Sequence, residues 1–136
     1  LTTGIDNTFL GYHAGNDLTT GDDNIILGAW AGDAATRASG SVFVGKDAGG
    51  TLTIGNQNIA IGLDAMNGAV TVGDNNIAIG VSAGDALTSG KTNVLMGLNA
   101  GGATTTAQRC TLIGSGAVSL TEINLSVAIS VISAIV

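Results

Sequence analysis

An all-β chain wound as a parallel β-solenoid is predicted by three observations. Seven short apolar runs each end in glycine, at Gly11, Gly28, Gly45, Gly62, Gly80, Gly97 and Gly114, with steps of 17, 17, 17, 18, 17 and 17 residues. A fixed period in this range marks units that bury their apolar face by stacking on their neighbours. The 22 glycines, the lack of proline and the wealth of Ala, Ile, Val, Leu, Thr and Asn suit short strands joined by tight turns. One Trp, one Tyr and two Phe in 136 residues leave little bulk, so the core is thin.

Aligned on the anchor glycine, the strands are the triplets Thr8-Phe9-Leu10, Ile25-Ile26-Leu27, Val42-Phe43-Val44, Ile59-Ala60-Ile61, Ile77-Ala78-Ile79, Val94-Leu95-Met96 and Thr111-Leu112-Ile113. Successive strand side chains alternate faces, so the first and third residues of a triplet share one face and the middle residue takes the other. Both faces are mostly apolar, and such a strand is expected to be covered on both sides. The sequence reading places the first and third residues inside a narrow roll. It assigns the middle residues Phe9, Ile26, Phe43, Ala60, Ala78, Leu95 and Leu112 to a seam covered by another copy of the chain.

Three residues after each anchor stands an alanine (Ala14, Ala31, Ala48, Ala65, Ala83, Ala100, Ala117), where two backbone layers or two chains approach closely. Four residues before it stand Asn7, Asn24, Ser41, Asn58, Asn76, Asn93 and Cys110. Superposed units turn these into a ladder in which Asn amides bond turn backbone and one another. Seven residues before the anchor, Gly4, Gly21, Ala38, Gly55, Gly73, Gly90 and Ala107 mark a second turn, and the 18-residue step reflects one additional residue around Val70 to Val72. The repeat domain spans 1–119. Residues 120–136 read as a degenerate eighth unit, with Ser126-Val127-Ala128-Ile129-Ser130 as its strand, or as the start of a stalk with a helical seam at Leu125, Ile129, Ile132 and Val136. Coils about 4.8 Å apart make a rod segment of roughly 30 to 35 Å.

Composition narrows the function. Ten acidic against four basic side chains give a net charge of −6, which argues against a nucleic-acid partner. Cys110 stands alone and His13 is the one imidazole, so neither a disulfide framework nor a Cys/His zinc site is expected, and no cofactor. No nucleophile–base pair is visible, and an enzyme is not expected. No stretch reaches the roughly 20 apolar residues of a membrane span, and no membrane insertion is expected. A chain opening at Leu1 and stopping at Val136 in mid-pattern reads as a piece of a longer protein or a processed one.

The phrases Leu1-Thr2-Thr3-Gly4-Ile5-Asp6-Asn7-Thr8-Phe9-Leu10-Gly11-Tyr12-His13-Ala14-Gly15 and Asn58-Ile59-Ala60-Ile61-Gly62 resemble repeats of phage tail fibres and of the heads of trimeric autotransporter adhesins. The resemblance covers about residues 1–119. It implies a left-handed parallel β-roll in a homotrimer, three rolls packed about one axis. The step of 17 to 18 residues and the Thr-Thr-Gly linkage look more like the tail-fibre version, which implies a virion surface fibre that presents or contributes to host receptor binding. A bacterial adhesin head binding host matrix or glycans is the alternative, and an ice-binding or calcium-stabilised solenoid a third. Fold alone does not choose among them.

Candidate sites follow the repeat. Tyr12, His13, Trp30, Lys46 and Asp47 fall one or two residues past successive anchors and would share one side of adjacent coils. They form either a patch on which a sugar ring stacks or a seam contact. Asp22-Asp23-Asn24 and Asp74-Asn75-Asn76 are either calcium corners or solvated turns, although the calcium-binding nonapeptide repeat is absent. Thr19, Thr36, Thr53, Thr88 and Thr105, interrupted by Val70, form either an ice-binding column or turn-flanking β-branched positions.

Overall fold

A computed structural model describes residues 3–68, 73–117 and 126–129. The chain is an all-β parallel solenoid of about six turns, with no helix among the described residues. The strands are β1 (Thr8–Leu10), β2 (Ile25–Leu27), β3 (Val42–Val44), β4 (Ile59–Ile61), β5 (Ile77–Ile79), β6 (Val94–Met96), β7 (Cys110–Ile113) and β8 (Ser126–Ile129). They lie in one sheet in sequence order, each parallel to the next. Register is kept through the long step, since Ile59, Ala60 and Ile61 face Ile77, Ala78 and Ile79. The additional residue expected around Val70 to Val72 lies outside the described residues, as do Leu125, Ile132 and Val136 of the stalk reading. Ser126–Ile129 pair with Cys110–Ile113.

Backbone polarity is satisfied along the rod axis. Ile25 N donates to Ser41 O at 2.9 Å, and Gly28 N donates back to Leu10 O at 2.8 Å. The same exchange recurs at Val42 to Asn58 and Gly45 to Leu27. Bonds between coils let strands of only three residues persist, because each is held on two sides by its neighbours.

The corners require unusual backbone. Asp6, Asp23, Gln57, Asn75, Thr92 and Arg109, five residues before an anchor, all have φ between 56 and 61°. His13, Trp30, Asp47, Asp64, Ser82 and Asn99, two residues past an anchor, have φ between 52 and 62°. Asn and Asp tolerate this left-handed region better than most side chains; Trp30 and Thr92 are held there against preference by the stack. At Gly62, φ of 132° coincides with a close approach: a Cβ there would lie 2.5 Å from Gly80 O. Only glycine satisfies both conditions.

The structure reverses the predicted faces. Ile26, Phe43, Ala60, Ala78, Leu95 and Leu112 are 0% exposed within a single chain, and Phe9 is half-buried against the same core. The middle residues therefore cannot form a seam between chains. They fill the roll together with Leu18, Leu52 and Leu87 and with the alanines three past the anchor, whose methyl groups belong to this interior. One column from each strand enters the roll, and its volume varies coil by coil.

The first and third residues face outward instead. Ile25, Val42, Ile59, Ile77 and Val94 form one column, and Leu10, Leu27, Val44, Ile61, Ile79, Met96 and Ile113 the other, all half-buried or exposed, with Leu10 at 72%. These two columns carry no charge, and their only hydroxyls are Thr8 and Thr111, one near each end. Leu63, Val81 and Leu98 extend the apolar ribbon past the anchor glycines.

Candidate functional site

The polar sites arise from positions that recur in every coil. Asn24, Asn58, Asn76 and Asn93 are 0% exposed, and Asn7 is half-buried. Asn76 shows the pattern: its Nδ2 donates to Asn58 Oδ1 at 3.2 Å and to Gly90 O at 2.9 Å. Its Oδ1 accepts from Asn93 N at 3.1 Å and from Asn93 Nδ2 at 2.9 Å. Asn24 bonds Asn7 Oδ1 and Ala38 O in the same way. Ser41 carries the ladder with a hydroxyl, accepting from Asn58 N at 3.2 Å, and Cys110 N closes the described end on Asn93 Oδ1 at 3.0 Å. Buried amides bonded at both ends contribute stability and pin the register of the coils.

A second ladder runs beside it, which sequence reasoning missed. Asp22 Oδ1 accepts from Ile5 N at 2.9 Å, Ser39 Oγ from Asp22 N at 3.1 Å, Asn56 Oδ1 from Ser39 N at 3.1 Å, and Asp74 Oδ1 from Asn56 N at 3.0 Å. Lys91 Nζ donates to Asp74 Oδ2 at 3.0 Å. The Asn56 N–H holds the Asp74 carboxyl below the ordinary carboxylate range against the opposing effect of burial, and Lys91 adds to the lowering. The signal was legible: four consecutive coils carry a side-chain acceptor six residues before the anchor. In each Asp-x-Asn corner the three residues part company. The first accepts a neighbouring N–H, the second takes positive φ at the surface, and the Asn enters the buried ladder.

The threonine column is likewise engaged along the stack. Thr19, Thr36 and Thr88 donate their hydroxyls to Thr36 O, Thr53 O and Thr105 O at 2.9 to 3.0 Å. Cys110 is buried, with its Sγ 3.7 Å from Gln108 O.

The five predicted patch residues occupy adjacent coils, but only three rings meet. Tyr12 and His13 lie 4.3 Å apart between centroids at 62°, Tyr12 and Trp30 5.1 Å apart at 80°. His13 stacks on Trp30 at 4.5 Å and 18°. Stacking of the coils sets this contact, since Trp30 N donates to Tyr12 O at 2.8 Å and holds the two segments in register. Tyr12 is 66% exposed and Trp30 37%. Asp33 belongs to the cluster as well: its Oδ1 lies 3.8 Å from His13 Nδ1, buried and without a hydrogen-bond partner. Lys46 and Asp47, one coil further on, pair with each other, and that hydrogen bond raises the Lys46 ammonium above its ordinary range.

No family model, no curated protein and no solved structure matches this chain.

Proposed function

We propose that the chain is a structural and adhesive fibre segment: a left-handed β-roll that assembles as a homotrimer in a phage tail fibre or similar virion surface fibre. It acts as a shaft or head that presents, or contributes to, host receptor binding. The observation that carries this reading is the uncharged apolar ribbon on the outward face of the sheet. It runs roughly 30 Å along the rod and about 10 Å across it, the size at which an exposed apolar patch marks a contact surface. A chain with net charge −6 whose two outward strand columns carry no charge is suited to face sister chains across them. The corrected seam therefore comprises columns such as Ile25 to Val94 and Leu27 to Ile113, with Phe9, Ile26, Phe43, Ala60, Ala78, Leu95 and Leu112 serving the interior of each roll.

The role is mechanical. Ladders of backbone and Asn hydrogen bonds along the axis resist fraying, and the apolar seam resists separation of the chains. Light scattering tests the assembly directly: three times the chain mass is expected, and a stable monomer at micromolar concentration overturns it. The aromatic cluster favours a second reading, a surface adhesin head that itself binds a host glycan.

A further inference from the structure

Resting on the surface-fibre reading, we propose that Tyr12, His13, Trp30 and Asp33 form a binding site for a neutral pyranose sugar on one side of the first two coils. The rings already touch, with centroids 4.3 to 5.1 Å apart, so a ligand need not order them. Tyr12, the most exposed of the aromatic rings, is braced edge-on by the His13–Trp30 stack. A rigid apolar ring with water on its open side is a platform for the C–H-bearing face of a pyranose.

Hydrogen-bonding capacity lies at the rim. The Asp33 side chain is one-third exposed although its Oδ1 is buried, so the exposed remainder of the carboxylate is what offers acceptor capacity to adjacent sugar hydroxyls. Charge then selects the ligand class. Lys46, the cation one coil away, is held by Asp47, and Asp64 follows on the next coil. A carboxylated or sulfated sugar would bring like charge beside Asp33 and Asp47, with Lys46 already engaged by Asp47, whereas a neutral hexose brings none. The site is an open face, so a single copy binds with a dissociation constant on the order of millimolar. Copies repeated on one rod would raise avidity by about 10²–10⁴.

Trp30 is the single tryptophan, so its emission reports on the site alone. The full chain is titrated with cellohexaose and chitohexaose as neutral probes and with sialyllactose and a heparin hexasaccharide as anionic ones. Saturation-transfer NMR follows the Tyr12 and Trp30 ring protons in parallel. Saturable changes with a neutral probe only are expected, weakened roughly tenfold by Tyr12→Ala and preserved in Tyr12→Phe. No saturable change with either neutral probe, or tighter binding of an anionic one, overturns the site. If Tyr12→Ala does not fold, the ring-proton transfer in the unaltered chain decides. The mass measured on the same samples separates the two readings: a trimer that ignores neutral sugars removes this site and leaves the rod, and a monomer that binds them does the reverse.

Discussion

Asn76 shows what one side chain does here. Its amide makes four hydrogen bonds to the coils on either side while fully buried. Asn76→Ala strands the Asn93 backbone N–H and the Gly90 carbonyl, and is expected to cost about 2–4 kcal/mol, read from urea unfolding. Ser41→Ala, which removes a hydroxyl bonded to Asn58 N, should cost about 1 kcal/mol, because the ladder is thinner there. Asp74 adds a pH dependence. Its carboxyl is held below the ordinary carboxylate range, so its contribution is present above that range and is lost as pH falls through the lower folded-state value. Asp74→Asn should therefore be less stable than the unaltered chain at pH 7, with the gap closing as the two are melted at successively lower pH below 4.

At the scale of the coil, volume is traded between positions. Phe43 packs where Gly32 and Gly49 leave room: a Cβ at either would lie 2.8 Å from its ring. Where the strand's middle residue shrinks to Ala60 and then Ala78, Met66 stands in the slot four past the anchor that Gly15, Gly32, Gly49, Gly84 and Gly101 otherwise hold. A Cβ at Gly84 would come within 3.3 Å of Ala78 Cβ and 3.5 Å of Met66 Cγ, so these side chains share one space. Met66→Gly should cost about 3 kcal/mol through the cavity it leaves, and Ala78→Leu about 1–3 kcal/mol through overpacking. Combined, they should cost less than the sum, a coupling of about 1 kcal/mol or more in a double-mutant cycle. This compensation was written in the sequence and identifies the middle column as core. It is visible only when the columns are compared coil by coil, since taken singly Ile and Val are better filling than Ala.

For the whole molecule, the two faces of one strand give separate outcomes. Ile61→Asp places a charge on the outward ribbon and should lower the mass by light scattering while keeping the β circular dichroism. Ala78→Asp places the charge inside the roll, where nothing pairs it, and should abolish the β signal itself. Equal loss of fold in both would remove the distinction between seam and core.

The sequence by itself determined the repeat, its parallel stacking, the strand triplets and the column of amides, because these follow from a period that superposes like on like. It also placed Tyr12, His13 and Trp30 near one another, since neighbouring positions in adjacent coils must be neighbours in space. Tertiary structure alone decided which side of each triplet faces in. A strand apolar on both faces has no amphipathic signal, so the choice rests on which column the rest of the coil packs with, and Leu18, Leu52, Leu87 and the alanine column share one buried core with the middle residues. The partnership of Asp33 with His13 was hidden for a related reason: a period records which positions stack, whereas this contact joins positions 13 and 33, which lie 20 residues apart and off the period.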